Sequence, residues 1–166
     1  MPTPLRKRTD ALLAFLAGAG VALLPGGAAH AAAPVVFQLA TTAYVAGDIG
    51  QATLIAEEGA TRIVLDFSGV PRGSTQPVHV YTYLYEGRCG DLPAKPAYSL
   101  NDRVLASTPS GRTGYGARGP FRLSHTLAVG IDDVLSGRYA LGLRTAPADG
   151  DHLIYCADLQ APTPRQ

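Results

Sequence analysis

The sequence predicts an all-β fold, an antiparallel Greek-key sandwich or flattened barrel of about eight strands. Three observations carry this. Short runs rich in Val, Ile, Thr, Tyr and Phe alternate with Gly, Pro, Asp and Ser punctuation from Val35 to Leu159. Within these runs apolar and polar residues alternate with period two, the repeat of a strand with one buried face. No segment after Leu24 sustains a helical period.

The N-terminus precedes the first strand and has three parts. Basic Arg6, Lys7 and Arg8 lead into an apolar run from Ala11 to Leu24, and a small-residue segment ends in Ala29, His30 and Ala31. That is the order of a secretory signal peptide, with Ala29 and Ala31 as the small residues before a cut after Ala31. A spanning helix needs about 20 consecutive apolar residues. This run contains Gly18 and Gly20 and stops at Pro25, Gly26 and Gly27. The expected organisation is residues 1–31 as signal peptide, 32–160 as one β-sandwich domain and 161–166 as a flexible tail. Such a product is secreted or periplasmic, with no membrane span after cleavage.

The first β run extends from Val35 to Val45 and is broken at Gly47 and Asp48; Gln51 to Ala56 is the second. Glu57, Glu58, Gly59 and Ala60 form a hairpin loop into the third run, Thr61 to Phe67. There Ile63, Leu65 and Phe67 share one face and Arg62 and Asp66 the other. In Val78 to Tyr85, Val78, Val80, Thr82 and Leu84 face one way and His79, Tyr81, Tyr83 and Tyr85 the other. A loop from Glu86 to Asp91 leads through Pro93 and Pro96 to Tyr98, Ser99, Leu100 and Asn101. Between Ser107 and Pro120, Gly111, Gly114, Gly116 and Gly119 beside Arg112 and Arg118 indicate a mobile surface loop. Arg122 to Val129 reads as a strand with Leu123, His125, Leu127 and Val129 on one face. Asp132 is placed to cap a single helical turn ended by Gly137. Arg138 to Arg144 buries Tyr139, Leu141 and Leu143, and Leu153 to Leu159 is the last strand and carries Cys156.

Charge and cysteine content narrow the function. Of 14 basic and 13 acidic residues, the leader holds Arg6, Lys7, Arg8 and Asp10. The remainder is therefore near balance, with one acidic residue in excess, and offers no electrostatic reason for nucleic acid or anionic lipid as partner. The two cysteines, Cys89 and Cys156, both lie after the leader. An even count in an oxidising compartment reads as a disulfide, the alternative being two buried thiols.

Catalytic motifs are missing from the chain. There is no Gly-x-Ser-x-Gly elbow, no phosphate-binding glycine loop and no zincin histidine pair. His79, His125 and His152 stand apart in sequence, and His125 shares a face with Leu123 and Leu127, so it reads as a core-edge histidine. Asp132 and Asp133 are too few oxygens for calcium, which takes six or more. The row His79, Tyr81, Tyr83 and Tyr85, with Arg144 near it, is the candidate ligand-binding surface, because exposed aromatic rings offer rigid contact area with a polar tip. The competing account is that tyrosine alternates in strands for its β propensity.

The order of these features resembles the copper/zinc superoxide dismutase-like sandwich and the related CHRD-type domains of exported bacterial proteins. The likeness rests on "LDFSGVP", "YEGRCG", "DDVLSGRYALGL" and "LIYCADL", and covers roughly residues 35 to 160. It implies a superoxide dismutase-like Greek-key fold, in which a Cys after the metal-bearing strand pairs with one on the final strand, as Cys89 and Cys156 would. The family's His-x-His corresponds to Tyr83, Leu84 and Tyr85, and a histidine at the end of its penultimate strand corresponds to Arg144. The resemblance therefore implies the fold without the metal ligands.

The function expected from all this is an exported non-catalytic binding or structural domain of the cell envelope. It would have no cofactor, and its partner would be a small molecule or protein of unknown identity. The alternative is a divergent copper- or zinc-binding protein, or a redox enzyme of the same fold, with relocated ligands.

Overall fold

The chain divides into two units, Met1–His30 and Ala31–Gln166. The computed structural model describes residues 33–162, within the second unit. The expected signal peptide and the tail beyond residue 162 lie outside the described residues.

Among the described residues nine strands form two antiparallel sheets. They are β1 (Val35–Gln38), β2 (Ala40–Thr41), β3 (Gly50–Glu57), β4 (Ala60–Gly69), β5 (Val80–Glu86), β6 (Tyr98–Ser99), β7 (Arg118–Leu127), β8 (Ser136–Thr145) and β9 (Leu153–Gln160). One sheet has the order β1-β3-β4-β7 and the other β2-β9-β8-β5-β6. The chain crosses from β4 to β5 in the opposite sheet, returns to lay β7 beside β4, and crosses again to lay β8 beside β5. These exchanges make the Greek-key sandwich that the strand pattern predicts.

The period-two pattern closes the core. In β4, Ile63, Leu65 and Phe67 point inward, and in β7 Phe121, Leu123 and Leu127 do the same. Val80, Leu84, Leu141, Leu143, Tyr155 and Leu159 meet them from the second sheet. On the outer face of the first sheet Arg122 and Asp66 pair across β7 and β4 at 2.7 Å, leaving polar groups in water. Tyr155 is the largest fully buried side chain, and its hydroxyl donates to Gly69 O at 3.0 Å, joining β9 to β4 across the layer.

Four elements differ from the sequence expectation. The run Val35 to Val45 is two short strands and a 3-10 turn, because buried Leu39 marks where the chain passes from one sheet to the other. Thr42 then ties the crossing to β9 through its Oγ1 on Leu153 O at 2.8 Å. The single helical turn, α1 (Ile131–Val134), takes Gly130 as its N-cap with no side-chain cap; Asp132 lies in its first turn, where a carboxylate suits the exposed N–H groups.

The glycine-rich segment is no free loop: Gly114 N donates to Ala106 O, Val78 N to Gly114 O, and Val70 N to Ala117 O. A Cβ on Gly114 would lie 2.8 Å from Phe121 Cδ1, so the glycine lets the backbone lie against that ring. Ala161, expected in a flexible tail, donates its N–H to Leu135 O at 3.0 Å.

The segment from Ala97 to Ala106 runs along the open side of β5 and holds it by successive hydrogen bonds. Ala97 N donates to Leu84 O, Leu100 N to Thr82 O, Val80 N to Val104 O and Ala106 N to Val78 O. Only Tyr98 and Ser99 of this segment are regular strand.

Candidate functional site

The outward face of β5 carries Tyr81, Tyr83 and Tyr85, as the alternation predicts, and His79 stands just before the strand. Opposite it on β8, Tyr81 pairs with Arg144, Tyr83 with Gly142 and Tyr85 with Ala140. The small residues at 140 and 142 leave a hollow, and the Tyr85 ring lies in it. A Cβ on Gly142 would be 3.0 Å from Tyr85 Cε2 and 3.1 Å from Leu153 Cδ1. Tyr83 sits beside it with ring centroids 5.9 Å apart and tilted by 52°.

The chain after β5 folds back over this face. Gly87 has φ 144°, a backbone state that favours glycine. Cys89 then bridges to Cys156 on β9, with Cα atoms 5.9 Å apart. Cys89 N donates to Asp158 Oδ1 at 2.7 Å, and Arg88 stands 4.0 Å from the same carboxylate. Thus anchored, Leu92, Pro93, Ala94 and Pro96 form a wall facing Tyr83 and Tyr85 across a cleft of about 390 Å³. Tyr85 is only 4% exposed, which corrects the expectation that it belongs to an exposed aromatic face. The ring settles into the hollow over Gly142, with Tyr83 and Arg144 beside it, which a strand pattern does not reveal.

Arg144 and Asp151 complete the cleft. Arg144 Nε donates to Asp151 Oδ1 at 2.8 Å and Nη2 to the Asp151 carbonyl. After β8 the chain makes a 3-10 turn, Pro147–Asp149, then Gly150 at φ 90° and Asp151 at φ 49°. Aspartate tolerates that left-handed state better than most residues, and here it swings the carboxylate onto the guanidinium. Burial lowers the proton affinity of Arg144, but the Asp151 carboxylate and the Tyr85 phenol outweigh it, so the net shift is upward. Burial likewise raises the Tyr85 phenol above its ordinary value, with Arg144 opposing. At neutral pH the cleft thus holds a charged pair and a protonated phenol.

Of the residues expected from sequence, Tyr83, Tyr85 and Arg144 line one cleft, and Cys89 and Cys156 form its anchoring disulfide. Tyr81 faces Arg144 across the strands but does not line the cleft. His79 lies at the far end of the row, where it forms an isolated bridge with Leu105. Sequence reasoning missed Asp151 and the Leu92–Pro96 wall. The available signal for Asp151 was its position across a short β8–β9 connection from Arg144.

His125 is buried on the inward face of β7, with exposed Asp102 next to its ring, in keeping with the core-edge position its sequence neighbours indicate. It is 2% exposed, and neither ring nitrogen has a hydrogen-bond partner among the described residues. Asp102 Oδ1 is 3.7 Å from Nδ1. Burial lowers the His125 pKa below its ordinary value, Asp102 opposes this, and Arg103 adds to it. Among the described residues no group of three or more His, Cys, Asp or Glu side chains is arranged to hold a metal ion. No helix there is long and apolar enough to cross a membrane.

The chain was compared with family models, curated proteins and solved structures, and none of them matches it.

Proposed function

We propose that this chain is an exported, non-catalytic binding domain of the cell envelope, secreted or periplasmic, whose ligand seat is the cleft between Tyr83, Tyr85 and the Cys89-anchored loop. The observation that carries the reading is convergence. Two strand tyrosines, a guanidinium from the neighbouring strand and a disulfide-tied apolar wall meet around one cavity. A concave site with apolar walls and a few convergent polar groups is the usual anatomy of a small-molecule seat. The disulfide and the leader's three-part order support export.

The same convergence supports a superoxide dismutase-like or CHRD-type ancestry. The positions that correspond to the family's metal histidines, Tyr83, Tyr85 and Arg144, line one cleft beneath the loop tied by the expected cysteine pair. A phenol binds a metal strongly only after losing a proton with pKa about 10, and a guanidinium has no lone pair to give. The domain we propose has therefore kept the seat and exchanged a metal for an organic ligand.

A fragment-library screen by NMR on the oxidised protein, cut after Ala31, tests the seat. Shifts should cluster on Tyr83, Tyr85 and residues 92–96; hits clustering elsewhere would remove the reading. Copper and zinc analysis of the same sample should find neither metal in stoichiometric amount. One tightly held ion per chain would favour a metalloprotein instead.

A further inference from the structure

Resting on the reading of this cleft as the ligand seat, the identity of its charged groups narrows the ligand class. Arg144 and Asp151 are the charged residues lining it, and they neutralise one another through the Nε–Oδ1 contact of 2.8 Å. An anion drawn to Arg144 meets Asp151 beside it, and a cation drawn to Asp151 meets Arg144. What remains attractive to both is a group that donates and accepts at once. Arg144 has N–H groups beyond the two engaged by Asp151, and Asp151 Oδ2 accepts no hydrogen bond among the described residues. A hydroxyl can accept from the first and donate to the second. Both bonds involve a charged partner and are stronger than those between neutral groups.

The walls define the rest of the ligand. Tyr83 is half-buried and presents part of a ring, while Leu92, Pro93, Ala94 and Pro96 supply no side-chain donor or acceptor. The ligand must then carry apolar C–H surface on its faces and hydroxyls on its rim. The cleft volume of about 390 Å³ suits one small ring or two joined rings. We infer that the cleft takes an uncharged polyhydroxylated ring, a neutral saccharide, packed against Tyr83 and held at its hydroxyls by the Arg144–Asp151 pair.

Asp151→Asn gives the decisive variant. Asparagine matches aspartate in shape and tolerates φ 49°, so the turn survives while the negative charge goes. The full mature protein is titrated by calorimetry with neutral tetrasaccharides of glucose and of N-acetylglucosamine, and with a tetragalacturonate of equal length. The wild type should bind at least one neutral tetrasaccharide and prefer it to the uronate. Tyr83→Ala should weaken that binding at least tenfold. Asp151→Asn should shift the preference at least tenfold toward the uronate, now facing an uncompensated guanidinium.

Preference of the wild type for the uronate, or no change of preference in Asp151→Asn, overturns the inference. So does failure of every neutral tetrasaccharide to bind. Such a failure leaves the seat itself to the fragment screen, which reads location and not ligand class. Saccharide binding untouched by Tyr83→Ala overturns the cleft as its site.

Discussion

The Tyr155 hydroxyl and the Gly69 carbonyl lie 3.0 Å apart, a hydrogen bond that crosses the sandwich from its five-stranded to its four-stranded sheet. Burial is the main reason that the Tyr155 pKa is pushed up to about 12. Above pH 10 the unfolded chain loses this proton while the folded chain keeps it. The corresponding stability is complete below pH 10 and is lost as pH rises through about 12. Tyr155→Phe should cost about 1–3 kcal/mol at neutral pH, since Gly69 O loses its partner. It should also flatten the decline between pH 10 and 12. Urea unfolding across pH 7 to 12 measures both; an unchanged alkaline decline in the variant would contradict the assignment.

His125 governs the acid side by the opposite sign. Its folded pKa lies below the ordinary 6.5, so the unfolded chain takes up a proton first as pH falls. Stability is full above pH 6.5 and declines as pH drops toward the folded value. His125→Phe fills the same inward position with no titrating group and should remove this part of the acid sensitivity. The check is the midpoint of thermal unfolding from pH 7.5 to 5. A variant that tracks the wild type throughout would place the sensitivity in other groups.

Much of this was legible in sequence. Ile63, Leu65 and Phe67 alternate with charged Arg62 and Asp66, and Val78 to Leu84 alternates with the tyrosines, so strand faces followed directly. The site was legible only in its strand half. Asp151 reaches Arg144 through a left-handed turn, and the wall facing the tyrosines follows a path set by a disulfide between residues 67 apart in sequence. Neither leaves a periodic trace. The division of Val35 to Val45 was hidden for a similar reason, since the crossing turns on Leu39 and not on a glycine or proline.

Opening the disulfide should destabilise the fold and loosen the cleft together. Cys156→Ser, or reduction, removes a closure of 67 residues, worth roughly 4 kcal/mol in the chain-entropy model. Denaturant unfolding reads the loss. Amide exchange should quicken in residues 88–96 before it quickens in β5. Uniform exchange across both would mean that the bridge does not hold the wall in place.

The ancestry proposed for the cleft makes its own demand. Replacing Tyr83, Tyr85 and Arg144 together by histidine supplies three imidazoles at positions that line one cavity, and frees Asp151 as a fourth donor. The triple variant should bind one Zn²⁺ or Cu²⁺ per chain by dialysis and elemental analysis, where the wild type binds none. A well-folded variant, judged by its circular dichroism, that takes up no metal would argue against the relationship.

The hydrogen bonds that Ala97, Leu100 and Ala106 donate, and the one Val104 O accepts, along the β5 side bear on how copies of this chain meet. A strand at the border of a sheet ordinarily offers a ladder of unpaired amides on which another chain can zip, the start of domain swapping and fibre growth. Here β5 is not itself the border, because its ladder is already taken by the two-residue β6 and the irregular backbone that continues it, which offer a newcomer no long continuous register. A border covered in this way is expected to resist edge-to-edge association by means of the chain's own segment.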